Sequence, residues 1–437
     1  MPQEDKIKAK NRDAILQSLR AGVVPRKGLH HIQVGRSREV QALIKDIDLV
    51  ADGGTAMRII VGEFGSGKTF FLQLIRSVGL EKGLVTMHAD LNPDRRFHST
   101  SGHARSLYTE LTHNLSTRTK WDGQGLGSVV ERFIGSALQE AKQTGLSAEE
   151  IIQKRLDRLC EMVNGYDFAH VIGAYWRGHE QGNDRLKTDA VRWLRGEYST
   201  RTDARHDLGV RTIIDDANAY DQLKLLARFT RLAGYNGLLI LVDEMVNLYK
   251  LANTRARNSN YEQVLRILND TLQGAAESIG FLLCATPESV SDSRRGLYSY
   301  PALQSRLQEN TFANAAGVVD YSGPVIRLAN LSPEDIYVLL HKLRHVQAGG
   351  DSAAYLVPDE ALKGFLEHCS KKIGDAYFRT PRNTVRSFLD MLAVLEQHPQ
   401  IQWRELVGQT TIQTEESGDN QEIVDTAAED ELATFKL

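Results

Sequence analysis

The sequence predicts an α/β fold: a parallel sheet with helices on both faces and a large helical insert. Three observations predict it. A glycine-rich octet, GEFGSGKT at 62–69, lies between a strand-like stretch and a helix-like one. An unbroken apolar run ends in two acids, Asp243 and Glu244. Five strand-like segments alternate with stretches whose apolar residues recur at helical spacing.

The chain has 437 residues, enough for two or three domains, each with its own core. Apolar residues make up 41% and charged residues 25%, the balance of a globular protein in water. A net charge of −3 argues against a surface built throughout to coat nucleic acid. The start, MPQEDKIKAK, is polar and does not read as a secretory signal. No apolar run reaches the roughly 20 residues that cross a bilayer, so no membrane role is expected. Cys160, Cys284 and Cys369 are widely spaced and form no metal-binding or disulfide pattern, so a cytoplasmic location is expected. Cys284 sits in an apolar run and should pack as a small buried hydrophobe. The histidines, His30 and His31 among them, have no metal spacing.

Residues 57–60, MRII, with Val61 read as a buried first strand, and 69–80, TFFLQLIRSVGL, as the helix after the octet. Gly62, Gly67, Lys68 and Thr69 fill the fixed positions of G-x-x-x-x-G-K-[ST], and strand–loop–helix is the context that motif requires. The fold expected is therefore that of a P-loop NTPase, and the ligand ATP with Mg²⁺. Glycine lets backbone N–H groups turn inward around phosphate oxygens, and the helix N-terminus adds positive potential. The whole stretch Gly62, Glu63, Phe64, Gly65, Ser66, Gly67, Lys68, Thr69 and Phe70 is assigned to nucleotide binding. Lys68 would reach the β- and γ-phosphates and Thr69 would ligate Mg²⁺.

The second strand, LVTMHAD, spans 84–90. The third lies in GLLILVDE, 237–244, whose continuous apolar run suits a strand buried on both faces. Asp243 at its end would join the Mg²⁺ shell, and Glu244 would polarise the attacking water. A fourth strand, GFLLCATPE, 280–288, ends its apolar run at Thr286, which either reaches the γ-phosphate or water or simply starts a proline turn. The fifth is PVIRLANL, 324–331. Lys68 and Asp243 lie 175 residues apart, so a module is inserted between the second and third strands. Residues 100–232 read as this helical insert, and no internal repeat stands out.

Within the insert, 174–211 concentrates Tyr175, Trp176, Arg177, Arg192, Trp193 and Arg195. Such residues can stack bases and grip phosphates. From Arg177 to Arg211, however, eight Lys/Arg meet six Asp/Glu, a net of +2, which favours a helix pair with its tryptophans packed inside. Residues 409–437 carry eight Asp/Glu and one lysine and read as a disordered tail, with Leu432, Phe435 and Leu437 as anchors if a partner docks there.

The order of these pieces resembles the AAA+ ATPases, in particular the origin-recognition/Cdc6-like branch. VGRSREVQAL, 34–43, resembles a segment which in that branch lies against the adenine; the resemblance places Val34, Gly35 and Arg36 near the base. Ser37 also suits an ordinary helix start. The resemblance gives Thr286 the role of sensor 1. YPALQSRLQEN, 300–310, falls where such proteins carry an arginine finger aimed at a neighbouring subunit, with Arg306 the candidate and Arg294 and Arg295 the rivals. In AYFRTPRNTVRSFLDMLAVLEQ, 376–397, T-P-R-N resembles the sensor 2 region of a helical lid, with Arg382 as the sensor and Arg386 the rival. These initiators continue into a winged-helix DNA-binding domain, whereas this chain turns polar and acidic after Trp403, a departure that puts a DNA-binding role copied from them in doubt.

A closer resemblance is to the ATP-binding proteins of BREX-type bacterial phage-defence systems. GEFGSGKTFFL, the V-D-E strand and the insert carry it, over roughly residues 10 to 400. It implies an ATPase working with other defence proteins through nucleotide-driven conformational change or assembly, including a nucleotide-dependent homo-oligomer. DNA remains an alternative partner. The organisation expected is an N-terminal segment, 1–33; a core, 34–99 and 233–330; the insert, 100–232; a helical lid, 331–403; and an acidic tail, 404–437. Three other functions compete: a non-hydrolysing switch or scaffold, a DNA-dependent motor or loader, and a small-molecule kinase.

Overall fold

The computed structural model describes residues 6–373 and 381–409. In chain order the first elements are α1 (Ala9–Arg20), α2 (Ser37–Ala51), β1 (Thr55–Val61), α3 (Lys68–Glu81) and β2 (Val85–Asp90). The insert helices follow: α4 (His103–His113), α5 (Leu126–Thr144), α6 (Ala148–Cys160), α7 (Gly165–Glu180), α8 (Asp184–Leu194), α9 (Arg201–Leu208) and α10 (Ala219–Leu232). Next come β3 (Leu238–Asp243), α11 (Val246–Tyr249), α12 (Thr254–Leu272), β4 (Ile279–Ala285), α13 (Pro287–Ser291), α14 (Pro301–Leu307), α15 (Thr311–Ala315) and β5 (Val325–Arg327). Helices α16 (Pro333–Gln347), α17 (Asp359–Ile373), α18 (Pro381–Gln397) and α19 (Trp403–Gln409) complete the described chain.

The strands form one five-stranded parallel sheet of order β2-β3-β4-β1-β5. Every residue of β3 and β4 is buried, as their unbroken apolar runs require. The β2–β3 register pairs Asp90 with Asp243. Outside β2, Thr86 and Ser116 exchange backbone hydrogen bonds of 3.0 and 2.8 Å, so part of this edge is covered rather than open for pairing. β5 is shorter than the apolar stretch 324–331 suggests and ends at Arg327, although Leu328 N–H still donates to Val61 O at 2.7 Å.

The chain divides into two compact units. The described part of the first comprises residues 6–40, 60–75, 326–373 and 381–409. Its apolar core joins α1 to the C-terminal helices: Ile15 packs with Ile336, Leu340, Leu343, Phe365, Phe388 and Leu392. Ile7 N–H closes the arrangement on Gly349 O at 3.0 Å. The described part of the second unit comprises residues 41–59 and 76–325 and contains the whole insert.

The insert helices follow their sequence signals. α6 starts in a capping box of Ser147 and Glu150, α8 is capped by Asn183 and α9 by Thr200. Phe229 stands 5.1 Å from Phe133 and 5.7 Å from Phe168, measured between ring centroids. Tyr175, Trp176 and Trp193 are all buried, and Trp193 Nε1 donates to Thr212 O at 2.8 Å. These three rings therefore build the module's interior instead of facing outward. Arg177 and Arg192 lie at the surface, the latter over the Tyr198 ring at 4.5 Å.

Candidate functional site

In the first unit, the octet lies between the end of β1 and the start of α3. Gly65 and Gly67 take φ values of 76° and 83°, a region that side chains make costly. A Cβ at Gly62 would lie 2.5 Å from Ser66 Oγ, so a side chain there would force the serine hydroxyl to move. Lys68 Nζ folds back over the loop and donates to Gly62 O at 2.9 Å and Glu63 O at 3.0 Å. Ser66 is buried, and among the described residues its Oγ meets no hydrogen-bond partner. Thr69 and Glu63 are exposed, and Phe64 projects into solvent. Phe70 turns the other way and packs on the unit's apolar core.

Arg36 also reaches the octet. Its guanidinium donates to Ser66 O and, at 3.4 Å, to Ala329 O. Its backbone φ is 57°, following Gly35 at 60°. Ser37 is the first residue of α2 rather than its cap. Burial lowers the Arg36 pKa, while Glu39 and Asp335 oppose that shift. Val34 packs against the apolar core.

In the second unit, the acidic pair ends β3. Asp243 is buried, and Oδ1 accepts from Glu244 N–H at 2.8 Å. Glu244 is exposed and left-handed, φ 61°. Holding a non-glycine residue there costs on the order of 1 kcal/mol, the kind of strain that gathers at functional sites. The turn is fastened on both sides. Leu91 N–H donates to Asp243 O at 3.0 Å, Asn247 Nδ2 donates to Leu91 O at 2.8 Å, and Met245 N–H donates to Cys284 O at 3.0 Å. Cys284 itself is buried. Asp90, opposite Asp243, is a neighbour the sequence reading did not assign to the site. Its surroundings withhold water from the charged form and Asp243 repels it, so its pKa is raised even though the residue keeps an exposed edge. Only the strand register brings these two acids together.

Thr286 caps α13: its Oγ1 accepts from Ser289 N–H at 3.4 Å, and its own N–H donates to Ser289 Oγ at 3.0 Å. Arg306 is exposed and donates to Ala302 O of its own helix at 3.0 Å. Of its rivals, Arg294 is exposed, while Arg295 is half-buried and donates to Leu251 O at 3.2 Å. Arg382 is exposed, with its guanidinium beside Gly22, and Arg386 is exposed one turn later. Thr380 of the T-P-R-N stretch and the tail anchors Leu432, Phe435 and Leu437 lie outside the described residues.

A parallel sheet in this strand order, with a glycine octet between β1 and α3, defines a P-loop NTPase fold. The family model for the BREX system ATP-binding protein BrxC/D matches residues 7–411, and the chain belongs to that family. Domain III of the Thermotoga maritima replication initiation protein DnaA, a solved structure, aligns at 12% identity over 88% of this chain and 97% of that one, with a TM-score of 0.36. The fold is therefore read from this chain's own strand order. No curated protein sequence matches the chain. Among the described residues no helix is long and apolar enough to cross a membrane.

Proposed function

We propose that this BREX-family chain binds and hydrolyses ATP in a bacterial phage-defence system, using nucleotide-driven conformational change or assembly. The observation that carries the reading is the octet: left-handed Gly65 and Gly67, Gly62 close against Ser66, and Lys68 turned over the loop. Backbone N–H groups in such a loop suit phosphate oxygens, and Lys68 would exchange its loop carbonyls for the β- and γ-phosphates. The hydroxyl of Thr69 and the carboxylate of Asp243 are hard oxygen donors that fit Mg²⁺, which would neutralise phosphate charge when bound. Glu244 follows Asp243 directly and has an exposed carboxylate, which suits it to orient and deprotonate the attacking water.

The remaining assignments belong to the same proposal. Residues 34–99 and 233–330 form the nucleotide core, 100–232 the insert and 331–403 a lid that closes over nucleotide. Arg382 serves as lid sensor, Arg306 as finger to a neighbouring copy, and Thr286 reaches the phosphate side through its hydroxyl proton. The protein acts in the cytoplasm with other defence proteins. Burial of the insert's aromatic rings weakens the case for stacked DNA bases there.

Steady-state ATP hydrolysis by the purified chain, with and without double-stranded DNA, tests the proposal beside Glu244→Gln. The expected variant keeps ATP affinity and loses turnover by about 100-fold or more. Wild-type turnover in Glu244→Gln would remove Glu244 from the reaction. Tight ATP binding without turnover in the parent would favour the switch or scaffold reading, and turnover that rises with DNA would favour a DNA-responsive motor.

A further inference from the structure

The sequence reading set Arg36 against the adenine, but the structure gives its guanidinium a backbone target. Ser66 is 2% exposed, so its carbonyl has little water to meet and needs a donor from the protein. Arg36 Nη2 supplies it. Arg36 Nη1 lies 3.5 Å from where a Gly67 Cβ would stand, an ordinary contact distance, so the guanidinium packs directly beside this left-handed glycine. The peptide joining Ser66 to Gly67 is planar and trans, for the described residues contain no cis bond. Its N–H therefore points opposite to its carbonyl. Fixing the Ser66 oxygen against Arg36 fixes the Gly67 hydrogen in the other direction. In a phosphate cradle the N–H groups turn inward, so this is the orientation a phosphate requires.

We infer that Arg36 is a positioning residue for the phosphate loop: it holds the Ser66 carbonyl and so aims the Gly67 N–H, rather than reading the base. Its own placement is prepared. Gly35 and Arg36 are consecutive left-handed residues, an arrangement non-glycine side chains seldom enter. Asp335, in the first turn of α16, comes within 3.2 Å of where a Gly35 Cβ would stand, so its carboxylate packs tightly against this left-handed glycine. Ala329 O takes a second guanidinium hydrogen and ties the same side chain to the segment after β5. Both bonds leave the one nitrogen Nη2, and a lysine would keep the charge while replacing the rigid guanidinium with an ammonium on a flexible stem.

The inference rests on the nucleotide reading for its purpose, so its test needs one readout that uses no ligand. In the full chain without nucleotide, backbone hydrogen exchange is followed across 62–69 for the parent, Arg36→Ala and Arg36→Lys. In parallel, each protein is titrated with Mg²⁺ and ATP, tripolyphosphate or adenosine. The expected result is faster exchange in the octet of Arg36→Ala, with affinity for ATP and for tripolyphosphate down about tenfold, the scale of one lost charged hydrogen bond. Adenosine binding should not change, and Arg36→Lys should fall between parent and alanine. If ATP and adenosine weaken equally while octet exchange is unchanged, Arg36 contacts the base and the inference is overturned. If the parent binds neither ATP nor tripolyphosphate while Arg36→Ala still loosens the octet, the nucleotide reading fails and the brace stands. Arg36→Lys, checked for a parent-like melting temperature, guards against a loss that comes only from misfolding.

Discussion

At the octet, Gly65, Gly67 and the nearby Arg36 all take left-handed backbone, and a lysine ammonium rests on loop carbonyls. In the insert, by contrast, α6, α8 and α9 each start at a capping side chain, and the large aromatic rings are packed inside. The insert has left-handed residues too, Gln124 and Asn164, but they sit at the starts of α5 and α7, whereas those of the octet lie inside one short loop. In the proposed reading, the octet's backbone N–H groups stay available to phosphate oxygens. Capped helices have already satisfied theirs.

This contrast makes a separable prediction: insert variants should change stability and leave nucleotide affinity alone, and octet variants should do the reverse. The largest effect is expected from Trp193→Ala, which empties a fully buried site and strands the Thr212 carbonyl. Urea unfolding should show a loss of about 3–5 kcal/mol, with ATP affinity of the folded fraction unchanged. A large affinity loss there would mean the insert takes part in binding. Next is Lys68→Ala, expected to weaken ATP about 100-fold, roughly 3 kcal/mol, while the melting temperature stays near that of the parent. Ser147→Ala removes the cap of α6 and should cost about 1 kcal/mol, read most cleanly as faster amide exchange in that helix.

The smallest effect is a pH dependence of that cap. Hydrogen bonds from the Ser147 backbone and side chain hold the Glu150 pKa below its ordinary value. A carboxylate with a depressed folded pKa stabilises above its unfolded pKa, near 4.5, and the benefit fades as pH falls through the lower folded value. Glu150→Gln should therefore trail the parent slightly at pH 7 and match it at strongly acidic pH. A gap that persists in acid would show that the carboxylate charge is not what the cap uses.

What could be read from sequence follows the same line. The octet, the five strands and the acidic pair are local patterns, and the structure places an element at each. The apolar spacing of 100–232 likewise announced a helical module, and α4 to α10 occupy it. Other features depend on partners distant in sequence. Asp90 meets Asp243 only through strand register, and Arg36 meets Ser66 only after α2 and β1 have turned the chain back. A left-handed Glu244 has no composition signal, because glutamate rarely takes that conformation. Thr286 shows the limit of reading residue type alone: its place at a strand end was legible, but its bond to Ser289 belongs to the turn that follows.

The insert leaves the sheet after Asp90 and returns at Leu238, and the two strands it separates in sequence are hydrogen-bonded neighbours. A crossover between adjacent parallel strands needs only a dozen or so residues. Everything beyond that length is surplus to the sheet's topology. The module can therefore be enlarged, shortened or exchanged during descent with no strand changing its neighbour, and this segment is where evolution can vary what the ATP-binding fold is connected to.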